Sequence, residues 1–261
     1  VALSAKSLFN YKIEVTTLNQ NLDFVNELGG DTLTAVLDVG FYSPATLAQE
    51  IAFQIQSLDP VNIYTVTVAR NVLGGTQNRI TIATNGSYLD LLLGTGPNTN
   101  TSCATLMGFL QADYTGSTSY TGSSSTGSIL IPDYIGYNYL DDFNGAKVFG
   151  SVNISASGLK EAVTFNIQQF IEVEFKYELK SRLTQWADFF TWSQAQKPFD
   201  FTPEISNPTR FFTCTLEKTI ANDQGLGWKM PEMLPAFPNH YTTGALVFRI
   251  TPDTSTFVVG A

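Results

Sequence analysis

The sequence predicts a mainly β protein with α+β character: an N-terminal α+β module, then a C-terminal β-sandwich or barrel-like domain carrying one aromatic helix. Three observations carry that reading. From Val163 to Tyr177, Val163, Phe165, Ile167, Ile171, Val173, Phe175 and Tyr177 fall on alternate positions, with Gln169 the exception. Thr164, Asn166, Gln168, Glu172, Glu174 and Lys176 fill the gaps. Successive side chains of a strand point to opposite faces, so this is the pattern of a sheet with one dry and one wet face. Second, β-branched runs such as YTVTV and ITIAT are separated by glycine turns, which suits pleated packing. Third, a helix is marked at both ends between Ser43 and Asp59. With 261 residues and 43% apolar content, the chain can build one large or two ordinary cores.

A first strand is expected near Tyr11–Thr17, with Tyr11, Ile13 and Val15 on one face. Gly29-Gly30-Asp31 signals a turn, and Leu33, Ala35, Leu37 and Val39 alternate through a second strand at Thr32–Phe41. Ser43 is suited to cap a helix and Pro44 to open it. Leu47, Ile51, Ile55 and Leu58 then form one apolar stripe, and Asp59-Pro60 ends the helix. Ile63–Arg70 and Asn78–Thr84 read as a hairpin around Gly74-Gly75. Leu89–Leu93 is a short strand, and GTGPNTNTS leads to a short helix or turn at Cys103–Phe109.

Residues 113–128, DYTGSTSYTGSSSTGS, are almost free of aliphatics. They are expected to form a linker or long exposed loop between an α+β docking module at 1–112 and a β-rich domain at 129–261. A surface excursion within one domain is the alternative. Beyond it, Ile129–Ile131 and Lys147–Ser155 read as extended. The 163–177 run would span about 50 Å as one arm at about 3.3 Å per residue, unless it folds near Gln168–Gln169. A helix at Ser181–Ala195 should place Leu183, Trp186 and Phe190 on one face and turn Trp192 away, toward a second contact. Phe199 and Phe201 alternate into Pro203. Later strands are expected at Arg210–Lys218, Gly244–Thr251 and Ser255–Val259, with a proline-punctuated stretch at Gly225–Pro238.

Charge and chemistry narrow the function classes. A net charge of −9 repels phosphate and disfavours nucleic-acid gripping. Only 14% of residues are charged, so much of the surface falls to Ser, Thr, Asn and Gly, which suits a protein that stays assembled. No apolar run approaches the roughly 18 residues of a membrane span, and no signal peptide opens the chain, so a soluble protein made in a reducing compartment is expected. Cys103 and Cys214 are expected as free buried thiols. The single histidine, His240, has no neighbouring Cys or His with which to share a metal, and no G-x-S-x-G surrounds a serine. Glu172, Glu174 and Glu178 read as a solvated sheet face. Asp141-Asp142 in DDFNG lacks the spacing of a calcium loop, and GTGPN lacks the lysine of a phosphate loop. Trp186 and Trp192 fit core aromatics better than a sugar platform. No catalytic, cofactor-binding or metal-ligating residue is assigned, and the chain is not expected to be an enzyme.

Two passages resemble virion proteins of tailed dsDNA bacteriophages. The first comprises FYSPATLAQEI, IYTVTVAR and NRITIATNGSYLDLLLGTGPNTNTSCATLMGF, then YTGSTSYTG. It is similar to a module recurring in phage tail and tail-fibre-associated proteins: a helix opened by Ser43-Pro44, a hairpin at Ile63–Arg70 and Asn78–Thr84, a strand at Leu91–Leu93 and a closing turn at Ala104–Phe109. The second comprises SASGLKEAVTFNIQQFIEVEF, LTQWADFFTWSQAQKPFDFTP, FFTCTLE and ALVFRI. It resembles tail components whose β domain carries an aromatic helix before an F-x-F-x-P strand, here Trp186, Phe189, Trp192, Phe199, Phe201 and Pro203.

The resemblance implies a building block of the distal tail, baseplate or tail-to-fibre junction, assembled as a closed ring. Residues 129–261 would form the ring and 1–112 would dock neighbours or fibres. Val173, Phe175, Trp192, Phe199 and Phe201 are the expected interface residues. The implied partners are further copies of the chain and other tail or fibre proteins, without sequence-specific nucleic acid or membrane insertion. The implied location is the virion, after synthesis in the host bacterial cytoplasm, and the acidity would suit a part lining the DNA channel. One departure stands out: a typical distal tail protein places its ring-forming sheet first, whereas this chain begins with the accessory module. The alternatives are a receptor- or glycan-binding adhesin that binds through its N-terminal module, and an esterase- or glycosidase-like enzyme using the acidic pairs and His240.

Overall fold

The computed structural model describes residues 6–26, 30–69, 78–132, 145–154, 160–207, 209–219 and 231–251, with backbone only at 145–154, 160–168 and 218–219. In chain order the strands begin with β1 (Leu8–Tyr11), β2 (Ile13–Val15), β3 (Asn21–Asn26), β4 (Leu33–Val36) and β5 (Gly40–Tyr42). Helix α1 (Pro44–Leu58) leads to β6 (Tyr64–Ala69), β7 (Arg79–Thr84) and β8 (Leu89–Leu92). β9 (Asp113–Ser117), β10 (Ser119–Thr121), β11 (Ser128–Leu130), β12 (Gly145–Ile154), β13 (Lys160–Glu174) and β14 (Glu178–Leu179) follow. After α2 (Leu183–Ser193) come β15 (Phe199–Thr202), β16 (Phe212–Thr219), β17 (Glu232–Met233), β18 (His240–Thr242) and β19 (Ala245–Ile250). The fold is mainly β with α+β character, and no sheet among the described residues closes into a barrel.

The chain divides into two compact bodies, which are described separately. The N-terminal body is built from Ser7–Ile131 and Lys197–Thr213. The C-terminal body takes 132–196 and 214–251. This division differs from the expected one. The hydroxyl-rich stretch at 113–128 is not a linker: β9 pairs with β8, β10 with β7 and β11 with β1. Its aliphatic-poor composition concealed two tyrosines. Tyr114 packs edge-on against Phe109 at 5.2 Å and against Tyr120 at 5.7 Å, supplying the apolar area that aliphatics would otherwise bring.

Within the N-terminal body, α1 follows its sequence signals closely. The Thr46 N–H donates to Ser43 Oγ at 3.3 Å and the Ser43 N–H to Thr46 Oγ1 at 2.9 Å, a reciprocal capping box. Leu47, Ile51 and Ile55 are fully buried, whereas Leu58, at the helix end, is 42% exposed and leaves the stripe. Around the helix a single core gathers Phe24 and Leu22 of β3, Ile80 and Ile82 of β7, Leu89 and Leu91 of β8, and Met107 and Phe109. Sheets β4-β3-β8-β9, β10-β7-β6 and β2-β5 supply its walls. The expected strand at Tyr11–Thr17 is split at Lys12, whose φ is 70°. The expected strand at Thr32–Phe41 is likewise divided, into β4 and β5. Strand β3 has no counterpart among the expected elements, because Asn21, Asp23 and Asn26 carry low strand preference. Asp23 is nonetheless buried.

In the C-terminal body the strand order is β16-β19-β13-β12, all antiparallel. The run expected at 163–177 is found as β13, one continuous element of 15 residues from Lys160 to Glu174, without a fold at Gln168–Gln169. Ile171, Val173 and Phe175 are buried, while Glu172, Glu174 and Lys176 between them face outward or are half-buried. The alternation then stops. Tyr177 takes a left-handed φ of 61°, so Tyr177 is exposed and Glu178 is buried. Glu178 therefore leaves the wet face expected for it, and its carboxylate accepts the Trp186 indole N–H at 3.0 Å. On α2, Trp186 packs with Phe175 at 5.2 Å and stacks with Phe190 at 5.5 Å. Trp192, expected to turn away, is 6% exposed and belongs to a core as well.

The registers of β13 define an arm. Lys160–Phe170 pair with Ile154–Gly145 of β12, and Phe170–Glu174 pair with Arg249–Ala245 of β19. The two ladders meet only at Phe170, so among the described residues β12 and the first part of β13 run on as a two-stranded ribbon. Gly74-Gly75, Asp141-Asp142, Ser255–Val259 and part of Gly225–Pro238 lie outside the described residues.

Candidate functional site

Three carboxylates of the N-terminal body, Asp59, Asp23 and Asp113, are engaged within that body. Asp59 follows α1, and its carboxylate accepts the Tyr64 hydroxyl at 2.7 Å, Asn26 Nδ2 at 2.7 Å and Asn62 Nδ2 at 2.9 Å. Burial works against the Asp59 charge, but these hydrogen bonds together outweigh it and hold the carboxyl at about 2, below its ordinary 3.8. Asp23 accepts the Asn98 N–H at 2.7 Å and the Thr34 hydroxyl at 2.7 Å. Asp113 accepts the N–H groups of Gly94 and Thr95 at 2.8 and 3.0 Å.

These last contacts explain the GTGPN loop. Its donors, which a phosphate loop would turn to an anion, are satisfied by carboxylates of the same fold. A Cβ at Gly96 would lie 2.5 Å from both Asp23 Oδ2 and Leu92 O, so that glycine serves close packing.

The five expected interface residues are all buried within the single chain. In the C-terminal body Val173 is 4%, Phe175 0% and Trp192 6% exposed; in the N-terminal body Phe199 is 0% and Phe201 1% exposed. Phe199 and Phe201 meet at Phe9, with ring centres 5.9 and 5.0 Å away, and Phe175 meets the α2 aromatics. Their side chains are core. An aspartate at Val173 or Phe175 would test folding before it tested assembly.

What lies open is different. Tyr177, Phe237 and His240 of the C-terminal body form an aromatic cluster, Tyr177 and Phe237 edge-on at 5.2 Å and His240 at 6.4 Å from each. Tyr177 is 39% and Phe237 48% exposed, and Leu179 and Met233 are exposed too. The sequence singles out His240, and places Tyr177 on the dry face of the long strand, but does not single out Phe237, although Phe237 between Pro235 and Pro238 cannot enter a regular strand. His240 Nδ1 lies 3.2 Å from Pro238 O. The second feature is the β12–β13 ribbon, whose outer strand edges are unpaired among the described residues over most of its length.

Both cysteines are free and buried. Burial pushes the Cys103 thiol up to about 12. Among the described residues no group of three or more His, Cys, Asp or Glu side chains is placed to hold a metal ion. Among them, too, no helix is long and apolar enough to cross a membrane.

Fold and surface together define a two-bodied, mainly β chain with a long antiparallel strand pair and an exposed aromatic cluster. No protein-family model matches the sequence, and neither does any curated protein.

Proposed function

We propose that the chain is a structural component of a phage virion, part of the distal tail, baseplate or tail-fibre attachment ring, acting through protein–protein contacts. The observation that carries this reading is the N-terminal module. Its capped helix, hairpin, short strand and closing turn were read as a unit through their resemblance to phage tail modules, and they share one hydrophobic core. The low charge content and the strand edges that stay unpaired among the described residues of the C-terminal body support an assembling role. Light scattering and negative-stain imaging of the purified chain test it. Rings or other closed assemblies are expected, and a monomer at every concentration would count against the ring.

The exposed cluster of Tyr177, Phe237 and His240 favours a second reading, a glycan-binding virion module, because sugar faces stack on exposed aromatic rings. That cluster lies in the C-terminal body, not in the N-terminal module first considered as binder. Saturable binding of the full chain to an arrayed glycan, lost on Phe237→Ala, is the expected result for this reading.

A further inference from the structure

We infer that the β12–β13 ribbon is the junction through which one copy of this chain joins the next, by edge-to-edge strand pairing. The inference rests on the assembling role proposed above and names its contact.

The ladder between β12 and β13 runs from Gly145↔Phe170 to Ile154↔Lys160. At about 3.3 Å per residue the ribbon is about 30 Å long. β12 is the last strand of its sheet among the described residues. Among the described residues, β13 is paired on its other edge only from Phe170 to Glu174. Over nearly the whole ribbon, therefore, no strand among the described residues pairs with either outer edge, and both edges present backbone N–H and C=O groups. A lone two-stranded ribbon is marginal in water, and an open edge is a template for another strand.

Proteins that keep such edges solitary place prolines or charges on them. From Val148 to Ile154 and from Ala162 to Gln169 this ribbon has neither. Its one irregularity is a bulge. Phe149 pairs with Asn166 and Gly150 with Thr164, which leaves Phe165 as the extra residue. A bulge raises local twist without closing either edge.

The occupant follows from the two edges being open over the same length. Among the described residues, each copy carries one unpaired β12 edge and one unpaired β13 edge. Pairing the first with the second of a neighbour makes a head-to-tail junction that repeats identically and leaves no edge exposed once a ring closes. A strand from a different protein would cover one edge and leave the other open.

Hydrogen exchange on the full chain, read with its mass by light scattering, tests this. In a lone ribbon every second N–H of each strand faces outward and exchanges freely, whereas joined ribbons protect consecutive amides through 148–154 and 162–168. The variants are Ser151→Pro and Val152→Pro, neighbours whose N–H groups point to opposite edges of β12. One interrupts the ribbon's own ladder, and the other removes a donor only from the outer edge. The expected result is consecutive protection in the assembled wild type. The outer-edge variant should fall to the mass of a single chain, with its tryptophan fluorescence unchanged as evidence that the α2 core is folded.

Wild type and both variants assembling to the same mass, or an assembled wild type with alternate protection, would overturn the junction and leave the assembling role standing. A wild type that remains monomeric would overturn both. Protection gained only in a mixed complex with a different protein would overturn self-pairing.

Discussion

The carboxylate of Asp200 accepts the backbone N–H of Ala45 at 3.0 Å, across 155 residues of sequence. Its other oxygen accepts the Thr213 hydroxyl at 2.9 Å. The Ala45 N–H is one of the first-turn donors that no carbonyl of α1 can reach, and a negative charge is favoured there. Phe199 and Phe201 point to the opposite face, toward Phe9. The FDFTP stretch thus serves the N-terminal body on both of its faces, which explains why it belongs there although the sequence places it after α2. Asp200→Ala should cost about 1.5–3 kcal/mol, as for a lost hydrogen bond to a charged group. Asp200→Asn retains an acceptor and should cost about 1 kcal/mol, the size of a helix-terminus charge effect. Urea midpoints of the two variants measure the difference.

Gly108 closes the turn of the N-terminal module under two constraints. Its φ is +78°, and a Cβ there would lie 2.2 Å from Ser124 O. Gly116 has a similar φ of +77° with nothing within 4 Å of a Cβ. Gly116→Ala should therefore cost only the left-handed backbone, about 1 kcal/mol. Gly108→Ala adds a backbone collision and should cost about 1–3 kcal/mol more. Thermal melts of both variants separate strain from clash, and equal losses would show that the turn can relax.

Asp59 sets an acid limit for the N-terminal body. Its carboxyl is held at about 2 in the fold against an ordinary 3.8. A depressed carboxylate contributes stability that is complete above the unfolded value and fades as pH falls toward the folded one. That contribution should disappear between about pH 4 and about pH 2. Tyr64→Phe removes one hydrogen bond that holds the charge, so its acid-unfolding limb should begin at a higher pH than that of the wild type. Circular dichroism during acid titration makes the comparison.

Cys103 and Cys214 are both fully buried and free. A thiol kept protonated by burial is a poor nucleophile. Neither cysteine should react with a thiol reagent in the native protein, and both should react in denaturant. Labelling of Cys103 in native buffer at the rate of an exposed thiol would contradict the packing against Met107, whose Sδ lies 3.8 Å from Cys103 Sγ.

Local signals were legible wherever the chain itself contained both partners. Ser43, Pro44 and Thr46 lie within one turn, so the start of α1 could be read directly, and β6 with β7 likewise carried their own pairing pattern. The alternation at 171–175 also survived, because a buried face imposes period two on any strand. The reading failed where a distant partner changed the meaning of a residue. Polar β3 is held by Asn98 and Thr34 on Asp23, and residues 113–128 by Tyr114, which packs onto Phe109 and Tyr120. Glu178 is carried inside by one left-handed residue and met by Trp186.

The sequence by itself determined the fold class, the capped helix, the long strand and the two free thiols, since each depends on periodicity or on composition. Only the tertiary structure decided which side chains are core and which backbone is open. It buried Val173, Phe175, Trp192, Phe199 and Phe201, exposed Tyr177 and Phe237, and among the described residues left the outer edges of the β12–β13 ribbon unpaired. Whether a strand edge is paired depends on which other strand lies beside it, and no local pattern of side chains encodes that neighbour.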